Sequence, residues 1–151
     1  MRTFRNNIFT FIMNRKDKDN IRETVILAKF MKKGIPVSIP FGDNARYDLI
    51  AEFNGKLNKI QVKYCSQETE NQSIACKTAS STNHTTNKHY TTYENDVDYF
   101  AFYLEPWEIC CLIPIEEIGN RKTITLRKTK PANNQSNYWD CSNYTFDKII
   151  K

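Results

Sequence analysis

Asn54-Gly55 lies between two stretches that alternate apolar and polar residues, RYDLIAEF and KLNKIQVKYC, and this arrangement constrains the fold more than any other. A two-residue hairpin loop needs positive φ at both central positions, which Asn and Gly adopt at least cost. With that loop the register follows by counting outward, so Phe53 faces Lys56 and Asp48 faces Gln61. Directly opposed residues share a face, with Cβ atoms roughly 5 Å apart. Lys63, two positions beyond Gln61, falls on that face as well. The opposite face carries Tyr47, Leu49, Ala51, Phe53, Ile60, Val62 and Tyr64, a core pattern. The hairpin, expected over 46–53 and 56–65, therefore gathers a carboxylate, a carboxamide and an ammonium on its polar side.

Upstream, the pattern predicts a helix over 19–33, capped by Asp17 or Asp19 and stopped by Lys32-Lys33-Gly34. Glu23 shares a stripe with Ile26, Leu27 and Phe30. Such a carboxylate is either paired, bound to a cation, or set at the stripe's edge with its head in water. Pro36 and Pro40 bracket a short strand of edge type. Residues 66–92 are polar and rich in Thr, Ser and Asn, and read as a long loop with a brief strand at 74–78. The aromatic and β-branched runs at 97–104 and 107–115 read as buried central strands. A helical turn at 116–120, a strand at 123–128, a loop at 129–137 and a short helix packing Phe146, Ile149 and Ile150 complete the chain. Residues 1–16 carry no clear element and read as an extension to a single domain spanning 1–151.

Composition narrows the function class. A net charge of +5 suits a polyanionic partner such as nucleic acid without requiring one. Five cysteines with no C-x-x-C pair argue against a disulfide framework and for a reducing, cytoplasmic setting. The apolar run at 8–13 is too short to span a membrane and is followed by RKDKDN, not by a cleavage site.

Three clusters could carry chemistry. Asp48 and Gln61, joined by Glu23, offer oxygen ligands to a divalent cation, with Lys63 beside them to orient water or neutralise phosphate charge. The simpler reading of the same residues is a solvated hairpin face. His84 and His89 with Cys76 have permissible zinc spacing but no fourth ligand. Cys110-Cys111, inside an apolar strand, reads as core. In the polar segment Lys77, Lys88 and His89 suit phosphate contacts, as do Arg127, Lys128 and Lys130 further on; a mobile solvated loop is the alternative.

The order Y-D-L-I-A-E, Asn-Gly, I-Q-V-K resembles the PD-(D/E)XK nuclease superfamily, and within it the group I intron-associated homing endonucleases, whose (D/E)-x-K element carries Gln. The resemblance runs from about residue 17 to about residue 145 and takes in PVSIPFGDNARYDLI, VDYFAFYL and EICCLIPI. It implies an α/β restriction-endonuclease-like core with a mixed central β-sheet flanked by helices. It further implies Mg2+-dependent hydrolysis of double-stranded DNA, with Mn2+ able to substitute, by a homo-oligomer (dimer or tetramer). On this reading Asp48 is the main metal ligand, Gln61 a neutral oxygen ligand, Glu23 a metal- or water-holding acid and Lys63 the lysine of the motif. Tyr47 stands where the superfamily name has proline, and Arg22 and Arg46 add charge near the site. A Holliday-junction resolvase of the same fold and a DNA-binding module without catalysis are the alternatives.

Overall fold

The structure, a computed structural model, describes residues 14–84 and 87–151. The apolar run at 8–13 and most of the expected extension lie outside the described residues. Helix α1 spans Arg15–Lys32. It begins a turn earlier than the sequence suggests, because Asn14 caps it and not Asp17 or Asp19. The Asn14 side chain accepts from the Asp17 N–H at 3.0 Å, and Asp17 accepts from the Asn14 N–H at 3.3 Å. Gly34, at φ +70°, ends the helix as expected.

The strands follow as β1 (Val37–Ser38), β2 (Leu49–Phe53), β3 (Lys56–Cys65), β4 (Ser73–Lys77), β5 (Ser80–His84), β6 (Asn87–Thr91), β7 (Tyr99–Leu104) and β8 (Ile109–Pro114). Helix α2 (Ile115–Ile118), strands β9 (Thr123–Arg127) and β10 (Trp139–Asp140), and helix α3 (Phe146–Ile149) complete the order. A five-stranded sheet runs β1-β2-β3-β7-β8, with β3 and β7 parallel and the other pairs antiparallel. It is the mixed sheet expected of a restriction-endonuclease-like fold.

Both faces of this sheet are covered. Ile60, Val62 and Ala101 pack with Ile26 and Phe30 of α1 and Phe146 of α3. The alternate residues Phe100 and Phe102 pack with Ile118 of α2 and with Ile74, Ile124 and Leu126 of a second sheet, β10-β9-β4. Strand β8 is buried on both faces yet is an edge strand, not the central one its apolar run suggests. Residues 141–146 shield its edge, and the Leu112 N–H donates to the Tyr144 carbonyl at 2.8 Å.

The β2–β3 hairpin closes as its turn residues require, with Asn54 at φ 53° and Gly55 at φ 72°. Leu49 pairs with Ile60 and Phe53 with Lys56, the register obtained by counting. One face assignment is corrected. Tyr47 packs against the second-sheet core, beneath the Lys59 ammonium, because the regular strand begins only at Leu49. Tyr64 keeps the face of Ile60 and Val62 but is only half-buried, near the strand's end and against Tyr103.

The polar segment 66–92 is not a long loop. It holds β4 and a β5–β6 hairpin pairing Ser80 with Thr91 through His84 with Asn87. Thr-rich strands with an exposed face show no apolar alternation, so only their β propensity hinted at them. The structure also joins Cys65 to Cys76, whose Cα atoms are 6.0 Å apart, a single bond where the sequence argued against a disulfide framework. The bond ties β3 to β4, an adjacency the spacing of cysteines does not encode, and it removes Cys76 from the zinc set. Cys110, Cys111 and Cys141 are buried free thiols, as core residues would be. Among the described residues no helix is long and apolar enough to cross a membrane.

Phe30 is fully buried, 4.9 Å from the Phe146 ring and 6.0 Å from that of Phe53. With Ile26, it clamps α1 on the sheet. Phe30→Ala is expected to cost about 3–5 kcal/mol in urea unfolding; a loss below about 1 kcal/mol would contradict this packing.

Candidate active site

Asp48 stands just before β2, whose register ends at the Leu49–Ile60 pair, and its N–H donates to the Ile60 carbonyl at 2.9 Å. Its Oδ2 accepts from Gln61 Nε2 at 2.6 Å and from the Val62 N–H at 2.7 Å. Gln61 is only 6 % exposed, so the polar side of the hairpin is no solvated face at this point. Gln61 and Lys63 line a cavity of about 560 Å³ together with Arg15, Asp19, Arg22 and Lys77. Asp48 and Glu23 line a second of about 220 Å³, with Asn20 and Ile39. The four residues singled out from the sequence thus meet where α1 crosses β2 and β3. Glu23 lies at the edge of the helix stripe, half-buried.

Charge balance here is uneven. Burial raises the proton affinity of the Asp48 carboxyl, against the Val62 N–H and the Arg22 and Lys63 charges. Glu23 is raised too, by burial first and then by Asp48. Burial and the Arg22 charge lower Lys63 to about 8, although Asp48 opposes them. Arg22 stands 3.2 Å from Asp19 and 3.9 Å from Glu23, and its buried Nε has no hydrogen-bond partner among the described residues. Arg46, the other added charge, is turned to Asp96 at 2.7 Å.

The donor set tests whether a metal ion fits. Among the described residues no three of His, Cys, Asp and Glu gather as ligands. Two carboxylates and one carboxamide do gather, and all their donors are hard oxygens of the kind divalent cations such as Mg2+ take. With the Gln61 nitrogen given to Asp48, its Oε1 is the atom left for a cation. Burial above all makes both carboxyls hold protons more tightly than usual, despite the Arg22 charge beside them. The set fits a hard divalent cation.

Of the other sequence candidates, Lys77 reaches the same cavity as Lys63. Lys88 and His89 lie on β6, paired with β5, whose Ser80 and Ser81 line that cavity. Arg127 lines a separate cavity with Asn71, Asn133 and Gln135, and Lys128 rests over the Trp107 ring at 5.0 Å. Lys130 is exposed in the loop after β9. The structure therefore does not bring these six into one patch with the site. Arg15 and Asp19 were missed. They share one helix face with Arg22 at spacings of four and three, a signal that needed the true helix start.

Raised affinity for a proton means that ionised Asp48 weakens folding above its folded-state pKa. Without divalent metal, Asp48→Asn is expected to raise the midpoint of thermal unfolding at pH 7. The gain should shrink as pH falls and vanish below the usual carboxylate range. A variant less stable than wild type at every pH would overturn this reading of the site.

The comparisons with known proteins come to bear on this geometry. No curated protein matches the chain. Among solved structures, a bacterial homing endonuclease, I-Ssp6803I, superposes with a TM-score of 0.72 at 24 % identity, over 87 % of this chain and 88 % of that one. At that identity the likeness speaks for the fold. The profile of the PD-(D/E)XK endonucleases matches residues 13–147, nearly the whole chain and all four residues of the candidate site. This chain belongs to the PD-(D/E)XK endonuclease family and is, by that membership, a nuclease.

Proposed function

We propose that the chain is a Mg2+-dependent, site-specific endonuclease of the homing type that cuts both strands of DNA, built on the Gln-x-Lys variant of the family motif. The observation that carries this is the Asp48–Gln61 hydrogen bond at 2.6 Å beside Lys63, with Glu23 and Asp48 lining one cavity. PD-(D/E)XK nucleases generally use divalent metals, and Asp48, Gln61 and Glu23 are the residues that would hold Mg2+ here. Bound there, Mg2+ would polarise the phosphoryl group, shield its charge and ease loss of a proton from water.

The chain's own groups do the rest. In hydrolysis a water oxygen bonds to phosphorus, the bond from phosphorus to one ribose oxygen breaks, and a proton passes from the water to the departing oxygen. Lys63, two residues along β3 from Gln61, places its ammonium to orient that water and offset the charge gathering on the phosphate. Glu23, turned toward Asp48 from the helix, would hold the water from the other side. Lys77 and Arg22 in the same cavity would receive flanking phosphates. Lys88, His89, Arg127, Lys128 and Lys130 would track the duplex beyond it.

A single site cuts one strand, so a double-strand break calls for two or more subunits, a homodimer or homotetramer. The chain works on this reading as one domain over 1–151. Replacing the usual acid with Gln61 removes one negative charge, so metal affinity should be lower than in a two-acid motif.

Incubating a pool of long duplexes with Mg2+ or EDTA and sequencing the ends tests the reading. Discrete Mg2+-dependent ends that share one long site are expected. Asp48→Ala and Lys63→Ala should each slow cleavage at least about 100-fold with DNA binding largely kept. Full activity in both variants would overturn the site, and ends gathered at branched DNA would assign a junction resolvase.

A further inference from the structure

Lys63 ends a long, flexible stem, and an ammonium that acts on one phosphate has to be held in one place. Among the described residues it forms no hydrogen bond or ion pair. Its Nζ instead lies over the Tyr93 ring, 5.1 Å from the centroid, within the range of cation–π attraction. Tyr93 lines the same cavity as Gln61 and Lys63.

That ring is itself fixed from several directions. It is 7 % exposed and stands edge-on to Phe100, with centroids 5.4 Å apart and planes at 83°. The Arg46 guanidinium also lies over it, 4.6 Å from the centroid. Arg46 in turn donates from Nε to Asp96 at 2.7 Å and from Nη2 to the Thr92 carbonyl at 2.9 Å, so it grips the turn on both sides of Tyr93. The Asp96 and Val97 N–H groups close that turn on the Tyr93 carbonyl, at 2.9 and 3.2 Å. Arg46 stands two residues before Asp48 in the segment that leads into β2. One bracket therefore connects the approach to Asp48, the turn at 92–97 and the ammonium of Lys63.

We infer that Tyr93 is a positioning residue for Lys63: its ring face seats the ammonium beside the Asp48–Gln61 pair, and Arg46 locks that seat to the segment entering Asp48. This rests on the role given to Lys63 above. The seat suits its purpose because a ring attracts the ammonium without neutralising it. A carboxylate in the same place would cancel the charge that the phosphate needs. A ring face also leaves all three N–H donors free for water and phosphate oxygens.

The test combines single-site kinetics on a duplex carrying the target with NMR of lysines labelled with 13C at Cε, Lys63 being assigned by its loss in Lys63→Met. In wild type and Tyr93→Phe the Lys63 ε-methylene should be shifted upfield by the ring, and in Tyr93→Leu the shift should disappear. Tyr93→Leu should lower kcat about 10- to 100-fold with KM within about twofold, and Tyr93→Phe should keep kcat within about threefold. Arg46→Gln, which leaves the ring in place and carries the test if Tyr93→Leu does not fold, should reduce both the shift and kcat.

Wild-type kcat in Tyr93→Leu, equal impairment of Tyr93→Phe and Tyr93→Leu, or an unchanged shift and kcat in Arg46→Gln would each overturn the inference. Failure of the underlying reading looks different. Lys63→Met would then cleave as wild type does, while the wild-type Lys63 signal stayed shifted.

Discussion

The hydrogen bond between Asp48 and Gln61 sits at the end of a register that the two-residue turn at Asn54-Gly55 sets, one residue before the Leu49–Ile60 pair. A slip by a single residue would send Asp48 to the opposite face of the sheet and leave Gln61 facing a hydrophobic side chain. Everything else at the site is referred to that register. Strand β3 carries Gln61 and Lys63 on one face, and its other face presents Ile60 and Val62 to the helix layer. The contacts that anchor α1 are thus the same contacts that bring Arg22 and Glu23 to Asp48.

This arrangement sets charges where burial disfavours them. Asp48 and Glu23 hold protons more readily than free carboxyls, and Lys63 gives its proton up more readily than a free lysine. Arg22 moderates the two acids while opposing the charge on Lys63. A structure selected for stability alone would not keep two acids and two bases so close around one amide. The residual imbalance is what a divalent cation and a phosphodiester would relieve, one supplying positive charge to the carboxylates and the other negative charge to the bases. Gln61 fits the same account, since a second buried aspartate in its place would add to the repulsion.

Much of this was legible in the sequence, for identifiable reasons. Turn chemistry and period-two alternation gave the β2–β3 register, and counting from Gly55 placed Asp48, Gln61 and Lys63 on one face. The stripe on α1 placed Glu23. What failed to show was whatever depends on long-range packing. The edge position of β8 is hidden because residues 141–146 cover it and let its sequence read as central. Among its described side chains the polar hairpin β5–β6 has no buried stripe to announce it. The Cys65–Cys76 bond, the cap at Asn14 and the seat of Lys63 on Tyr93 all join segments, or set boundaries, that local pattern does not define.

The central claim is that Asp48 and Gln61, brought opposite by the hairpin, together hold a divalent cation. Electron paramagnetic resonance of Mn2+, titrated into wild type, Asp48→Asn and Gln61→Glu, addresses it without reference to cleavage. The account predicts weaker binding in Asp48→Asn and tighter binding in Gln61→Glu, each by about tenfold or more, because one unit of ligand charge is lost or gained. Equal affinity in all three proteins would contradict it and place the cation elsewhere.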